Sequence, residues 1–147
     1  KNTFSKKSKI LITKEQYYNM EYGKKIHKLF EMLDLKNIDY SLLNNIEKKT
    51  VMNFISNPIF DNINNSKIFK EYEFEYEDNH ILYKGIIDLM LVYENYIDII
   101  DYKLSNIDDE KYIYQLNGYK KYIEMISNKK VNIYLYSILK QEFKKIN

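Results

Sequence analysis

The chain has 147 residues, 45% hydrophobic and 30% charged, with a formal net charge of +2 at pH 7. That is enough for one compact domain with a single core, and no run approaches the roughly 20 apolar residues a bilayer span needs. Cysteine is absent, which excludes disulfides, thiolate metal sites, iron–sulfur clusters and a cysteine nucleophile, leaving oxygen and histidine as metal ligands.

Residues 1–12 read as a basic lead-in, after which Thr13 can cap a helix running to about Leu35 with Ile26, Leu29, Phe30 and Leu33 as its buried stripe. A second helical region covers about 41–56, with Leu42, Leu43, Ile46, Val51, Phe54 and Ile55 as apolar positions, and Asn57-Pro58 ends it. The polar stretch 59–66 fits a short helical turn or a loop. From Phe69 the period becomes alternating, predicting strands at 69–77, 81–93 and 96–103 with Asp78-Asn79 as the first turn. Ile87, Leu89 and Leu91 are expected on one face, Met90, Val92, Ile97 and Ile99 on the other, so this hairpin belongs between two covering layers. Asp108 and Asp109 open a helix to about Ser127, with Tyr112, Leu116, Tyr119, Ile123 and Ile126 inward. A strand at about 131–138 and a basic tail over 139–147 complete the chain. The expected fold class is α/β: a mixed sheet flanked by helices, forming one domain over residues 1–147.

All 23 basic residues are lysine, so phosphates would meet flexible point charges rather than arginine forks, which favours backbone attraction over base reading. Alanine and tryptophan are also absent, while Ile, Asn, Lys and Tyr abound, as expected of an AT-rich genome. The start at Lys1, with no signal-like segment, reads as a piece excised from a longer cytoplasmic polypeptide.

Two carboxylates and a lysine fall on the central hairpin, in Gly85-Ile86-Ile87-Asp88 and Ile99-Ile100-Asp101-Tyr102-Lys103. A turn at Glu94-Asn95 pairs Tyr93 with Tyr96, and counting outward sets Asp88 opposite Asp101, with Lys103 on the Asp101 face. Directly opposed like charges destabilise a sheet, more so in apolar surroundings. A divalent cation is the simplest compensation, because it turns the repulsion into shared oxygen coordination.

The same residues resemble the core of the PD-(D/E)xK nucleases. Gly23-Lys24-Lys25-Ile26-His27-Lys28-Leu29-Phe30-Glu31 is similar to the Gly-x-x-x-His helix of the RecB-type branch. Glu71 resembles the glutamate of its first core strand, and Tyr112-x-x-Gln115-x-x-x-Tyr119 the motif on the helix after the lysine. The likeness extends from about residue 17 to 138, every piece in order, and is greatest to the C-terminal nuclease domain of AddA/RecB-type (UvrD-like) helicase–nuclease subunits. It implies a restriction-endonuclease-like core and a Mg²⁺- or Mn²⁺-dependent deoxyribonuclease, of exonuclease type, with His27, Asp88 and Asp101 as metal ligands and Lys103 assisting hydrolysis. It also implies single-stranded DNA ends as substrate, a helicase motor in the same polypeptide, and a second nuclease or helicase polypeptide as partner. No membrane is involved, and the implied role is recombinational repair of double-strand breaks. Leu104 departs from the pattern, standing where a small hydroxyl residue commonly follows the lysine. With three glycines, no Gly-x-x-x-x-Gly-Lys loop can be written, so no nucleotide site lies in this chain.

Elementary chemistry agrees with these roles. Asp88 and Asp101 can bring hard oxygen ligands to one Mg²⁺ or Mn²⁺, with His27 adding a nitrogen. Lys103 can orient water or offset transition-state charge, and Gln115 can hold the water or the DNA backbone. Other readings stand beside these. His27 can be an ordinary surface or partly buried histidine, and Asp101 with Lys103 a structural salt bridge. Glu71, Glu73, Glu75 and Glu77 alternate as a solvated strand face does. Tyr112 and Tyr119 can pack in a core or contact DNA, while Lys24, Lys25 and Lys28 can form a phosphate-attracting patch or a solvated face. The alternatives to a helicase-linked nuclease are a catalytically inactive DNA-binding or scaffolding module of the same fold and a free-standing nuclease without a motor.

Overall fold

The computed structural model describes residues 11–146, so most of the expected basic lead-in and the last residue of the tail lie outside the described residues. Helix α1 (Lys14–Met32) opens with a reciprocal box. The Thr13 hydroxyl accepts from the Gln16 N–H at 3.0 Å, and the Gln16 side chain accepts from the Thr13 N–H at 2.8 Å. The helix stops at Met32, short of the expected Leu35, because Leu33 turns extended. Its last turn has no basic residue of its own; the Lys70 ammonium donates to the Glu31 carbonyl at 3.0 Å and to the Leu33 carbonyl.

The region expected as one helix over 41–56 divides in two. A 3₁₀ turn at Tyr40–Leu42 precedes α2 (Asn45–Ile55), which Asn44 caps in a second reciprocal box with Glu47. Leu42 and Ile46 are exposed, and Thr50, Val51 and Phe54 make the buried face. Asn57-Pro58 does end the helix, Asn57 capping a 3₁₀ turn at Pro58–Phe60 before another at Ile63–Asn65.

Five strands form one sheet in sequential order: β1 (Lys67–Asp78), β2 (Ile81–Val92), β3 (Tyr96–Lys103), β4 (Lys130–Ser137) and β5 (Glu142–Lys145). Among the described residues only β3 and β4 pair in parallel, and α3 (Glu110–Ser127) is the crossover between them. The first hairpin turns on Asn79-His80, one residue beyond the expected Asp78-Asn79; both have positive φ (51° and 66°), and Asp78 pairs with Ile81. The 139–147 segment is not merely a tail. β5 pairs with β4, and Phe143 packs between Phe54 (5.5 Å) and Tyr136 (4.6 Å). One aromatic among charged residues is too short a pattern to announce that strand. Asp109 caps α3, and Asp108 instead pairs with Lys144 of β5.

The sheet is covered on both sides. Ile26, Phe30, Val51 and Phe54 from α1 and α2 pack on Leu89, Leu91 and Ile100. Leu116, Tyr119 and Ile123 from α3 pack on Ile87, Met90, Ile97 and Ile99. Ile126, expected inward, is 53% exposed, and Tyr122 packs in the layer instead.

Ile87 therefore lies opposite Leu89 and Leu91 rather than beside them. β1 shows the same reversal: Ile68 packs with the α1 layer, Tyr72 and Phe74 with the α3 layer. No residue is inserted, since the register runs from Lys70↔Leu89 to Tyr72↔Ile87. The pleat changes sense at the intervening pair, Glu71 and Asp88, and Glu71 has a φ of 50°. A non-glycine residue in that region costs about 1–3 kcal/mol and persists only where surrounding contacts hold it.

Gly85, three residues before Asp88, sits under two rings. A Cβ there would lie 2.5 Å from Phe74 Cζ and 2.6 Å from Tyr119 Cε1. Gly85→Ala is expected to destabilise the chain by roughly 1–3 kcal/mol through overpacking, measured as a lower urea midpoint. An unchanged midpoint would mean that the rings relax freely.

Candidate active site

Asp88 ties three elements together. Its Oδ1 lies 3.0 Å from His27 Nε2 on α1, and its Oδ2 accepts the Tyr102 backbone N–H of β3 at 2.7 Å. The β2–β3 ladder is continuous from Val92↔Ile97 to Leu89↔Ile100, and its register sets Asp88 across from Asp101, as the sequence predicts. Beyond that last rung the carboxylate takes over the role of a ladder acceptor. His27 rests edge-on against Tyr102, ring centroids 5.2 Å apart.

Asp101 and Lys103 project on the α3 side, as period-two alternation requires, with Lys103 Nζ 3.0 Å from Asp101 Oδ2. The same ammonium stands 4.1 Å from the centre of the Tyr112 ring. Lys103 is fixed from behind as well. Its carbonyl accepts from the Ile138 N–H at 2.8 Å, and the Leu104 carbonyl from the Leu139 N–H at 2.9 Å. Leu104 packs over Gly23, where a Cβ would come within 2.6 Å of Leu104 Cδ1. The glycine four residues before His27 thus lets α1 approach the segment that carries Lys103.

His27, Asp88, Asp101, Lys103 and Gln115 line one cavity of about 890 Å³, with Gly85 and Tyr119 in its wall. Glu73, Glu75 and Lys84 also line it; in the sequence the two glutamates stand out only as part of a solvated series. Tyr119 is buried against Phe74, while Tyr112 has its ring beneath Lys103. Lys24 and Lys28 are exposed outside this cavity and pair with Glu21 (3.3 Å) and Glu31 (3.9 Å) of their own helix.

Glu71 departs from the glutamate series. Its left-handed backbone turns it out of the strand alternation, and its Oε2 is buried, without a hydrogen-bond partner, 3.9 Å from His27 Nε2. His27, Glu71 and Asp88 each offer a ligand atom within 4.8 Å of the others. The sequence-based metal set is His27, Asp88 and Asp101; the structure groups Glu71 with the first two and holds Asp101 on the α3 side. Alternation alone does not distinguish Glu71 from Glu73; the family resemblance singles it out, and the structure separates it by one φ angle.

Burial, and then the charge of Asp88, push Asp101 up to about 7 against the pull of Lys103. Burial likewise raises Glu71, with Asp88 adding to it. The hydrogen bond that His27 donates to Asp88 raises the imidazole, against the opposing effect of burial. Three carboxylates crowd a half-buried space, and the orphaned Glu71 oxygen fits a demand for added positive charge. One nitrogen and carboxylate oxygens form a donor set suited to Mg²⁺ or Mn²⁺.

The mixed five-stranded sheet with flanking helices is an α/β fold consistent with a restriction-endonuclease-like core. No family model matches the chain. It is similar to an ATP-dependent helicase/nuclease subunit of Clostridium acetobutylicum, 27% identical over 134 residues covering 75% of this chain and 11% of that protein. The proteins of the same description from Listeria welshimeri (32% over 96 residues; 56% and 8% covered) and Thermoanaerobacter sp. (33% over 89; 54% and 7%) are also similar. The chain thus spans about a tenth of the length of these curated relatives. Among solved structures, a Vibrio cholerae protein overlaps 65% of this chain and 27% of its own, with a TM-score of 0.41 and 13% identity. Among the described residues, no helix is long and apolar enough to cross a membrane.

The raised groups set a pH dependence for the metal-free chain. Folded Asp101 retains a proton that the unfolded chain loses from about pH 4 upward, so stability falls as pH rises toward 7. Glu71 acts in the same sense, and the stabilisation from His27, complete below its ordinary 6.5, is lost as pH passes its raised value. Asp39 and Asp108, both lowered, act oppositely but only in acid. In EDTA, urea denaturation is expected to show lower stability at about pH 8 than at about pH 5, on the order of 1–3 kcal/mol, with Asp101→Asn removing most of the difference. Equal stabilities for the wild type would show that Asp101 ionises without penalty.

Proposed function

We propose that this chain is the nuclease domain of a longer ATP-dependent helicase–nuclease, hydrolysing DNA phosphodiester bonds with Mg²⁺ or Mn²⁺ during the processing of double-strand breaks. The observation that carries this reading is the convergence of His27, Asp88, Asp101, Lys103 and Gln115 on one cavity from α1, β2, β3 and α3. The names of its relatives, which combine helicase and nuclease, support the same reading and the motor outside this segment.

A bound divalent cation would supply Lewis acidity and charge neutralisation at the phosphate. Asp88 and His27 would hold it, with Asp101 and Glu71 as further carboxylates. Lys103, kept in place by Asp101 and Tyr112, offers positive charge where a phosphate oxygen gains negative charge. The Gln115 amide, on the exposed face of α3, can hold a phosphate oxygen or the incoming water. The buried Tyr102 hydroxyl is raised well above the usual tyrosine range by its burial and stays neutral. It is thus part of the wall rather than a proton donor or acceptor.

Labelled single-stranded DNA should be degraded by the wild type with Mg²⁺ or Mn²⁺ and left intact in EDTA. Asp101→Ala and Lys103→Ala should each lower the rate by about 10²-fold or more. Folded, metal-binding wild type without cleavage would favour the non-catalytic DNA-binding module instead. Full activity in Asp101→Ala would sink the site assignment.

A further inference from the structure

A second cavity, of about 390 Å³, continues from the first between the β1–β2 hairpin and the outer face of α3; Lys84, Gln115 and Tyr119 line both. Its walls are built largely from tyrosine. Tyr83 stacks on Tyr76 with ring centroids 5.0 Å apart and planes 14° from parallel, and Tyr76 stacks on Tyr122 at 5.1 Å and 23°. Phe74 extends the layer behind Tyr122, 5.1 Å away. Tyr114 of α3 lines the same cavity and is 76% exposed.

Tyr114 takes no part in the core beneath α3. The aromatic layer facing this space is backed by packed rings, so it offers a flat surface at small entropic cost. Gly118 lets helix and hairpin close together here: a Cβ would lie 2.8 Å from the Tyr76 hydroxyl. Lys84 and Lys121 line the groove with Asp78, and Lys84 also stands 4.0 Å from Glu75, so Lys121 supplies most of the attraction for a phosphate.

We infer that this groove is a stacking subsite for an unpaired nucleobase of single-stranded DNA, next to the phosphate held in the catalytic cavity. The inference rests on the nuclease reading, which fixes where that phosphate lies. Tyr83 and Tyr114 provide ring faces, and Lys84 and Lys121 attract the backbone as it leaves the first cavity. Stacking of this kind accepts any base and contributes by π-face rather than edge recognition, as suits a chain whose basic residues are all lysine. A base within a duplex has both faces covered by its neighbours, so the subsite selects single strands.

The test uses the 147-residue chain in EDTA, where no cleavage occurs, and a fluorescent single-stranded oligonucleotide read by anisotropy. Tyr83→Ala and Tyr114→Ala should each weaken binding about tenfold, whereas Tyr83→Phe and Tyr114→Phe should bind as the wild type does. A single abasic residue walked along the oligonucleotide should cost the wild type about tenfold at one position and the double alanine variant nothing more there. The inference is overturned if the abasic walk shows no position-specific loss, if the alanine variants bind normally, or if a duplex of the same sequence binds as tightly as the single strand. Cleavage with Mg²⁺ is scored separately. Position-specific stacking without cleavage retains the subsite and removes the nuclease reading, and cleavage without stacking does the reverse.

Discussion

The architecture around the site depends on how the Asp88 carboxylate is shared. One oxygen meets His27 of α1 and the other accepts the Tyr102 amide of β3, while the backbone faces Glu71 of β1. A carboxylate this deep in a sheet would ordinarily be a liability. Here it replaces a rung of the ladder beyond Leu89↔Ile100 and anchors the helix that brings in the histidine. The reversal of the pleat follows from the same point. With strict alternation, Asp88 would lie on the side of Met90 and Val92, away from α1. By changing sense between Ile87 and Leu89, the strand lets one side chain touch the His27 layer while remaining across from Asp101 on the α3 layer.

That arrangement creates the electrostatic tension that defines the site. Asp101 has a lysine at 3.0 Å and is still pushed up, because burial and the neighbouring carboxylate together outweigh one ammonium. A structural salt bridge would be expected to leave its acid lowered. The residual imbalance is a demand for added positive charge among carboxylates that a packed scaffold holds together, at a cost to the folded state.

Much of this was legible in the sequence because it depends on periodicity. The turn at Glu94-Asn95, the pairing of Tyr93 with Tyr96 and the facing of Asp88 and Asp101 follow from counting residues along two apolar strands, and the structure has the Tyr93 N–H donating to the Tyr96 carbonyl at 2.9 Å. The cap at Thr13 and the start of α3 at Asp108-Asp109 were legible for the same local reason, although which aspartate caps was not. What escaped depends on contacts between distant residues. The reversal at Glu71 is invisible because Glu71, Glu73, Glu75 and Glu77 look alike until one φ is known. β5 escaped because its stability comes from Phe143 meeting Phe54 and Tyr136, contacts that no local pattern around residue 143 encodes. Tyr112 could be assigned to the core stripe but not to the underside of Lys103.

The use of glycine links composition to the site. The chain has three glycines, and none of them has a positive φ. Left-handed positions in turns are filled by Asn79, His80, Asn128 and Gln141; asparagine tolerates that region best, and glutamine must be held there by its surroundings. Each glycine is instead placed where a side chain would strike a neighbour: Gly23 against Leu104, Gly85 against Phe74 and Tyr119, and Gly118 against the Tyr76 hydroxyl. These contacts set how closely α1 approaches the Lys103 segment and how closely α3 approaches the β1–β2 hairpin. Gly85 lies in the wall of the cavity that holds His27 and Asp88, and Gly118 in the wall of the groove beside it. In this glycine-poor chain the glycines thus stand at points of close approach, while asparagine, histidine and glutamine take the left-handed turn positions.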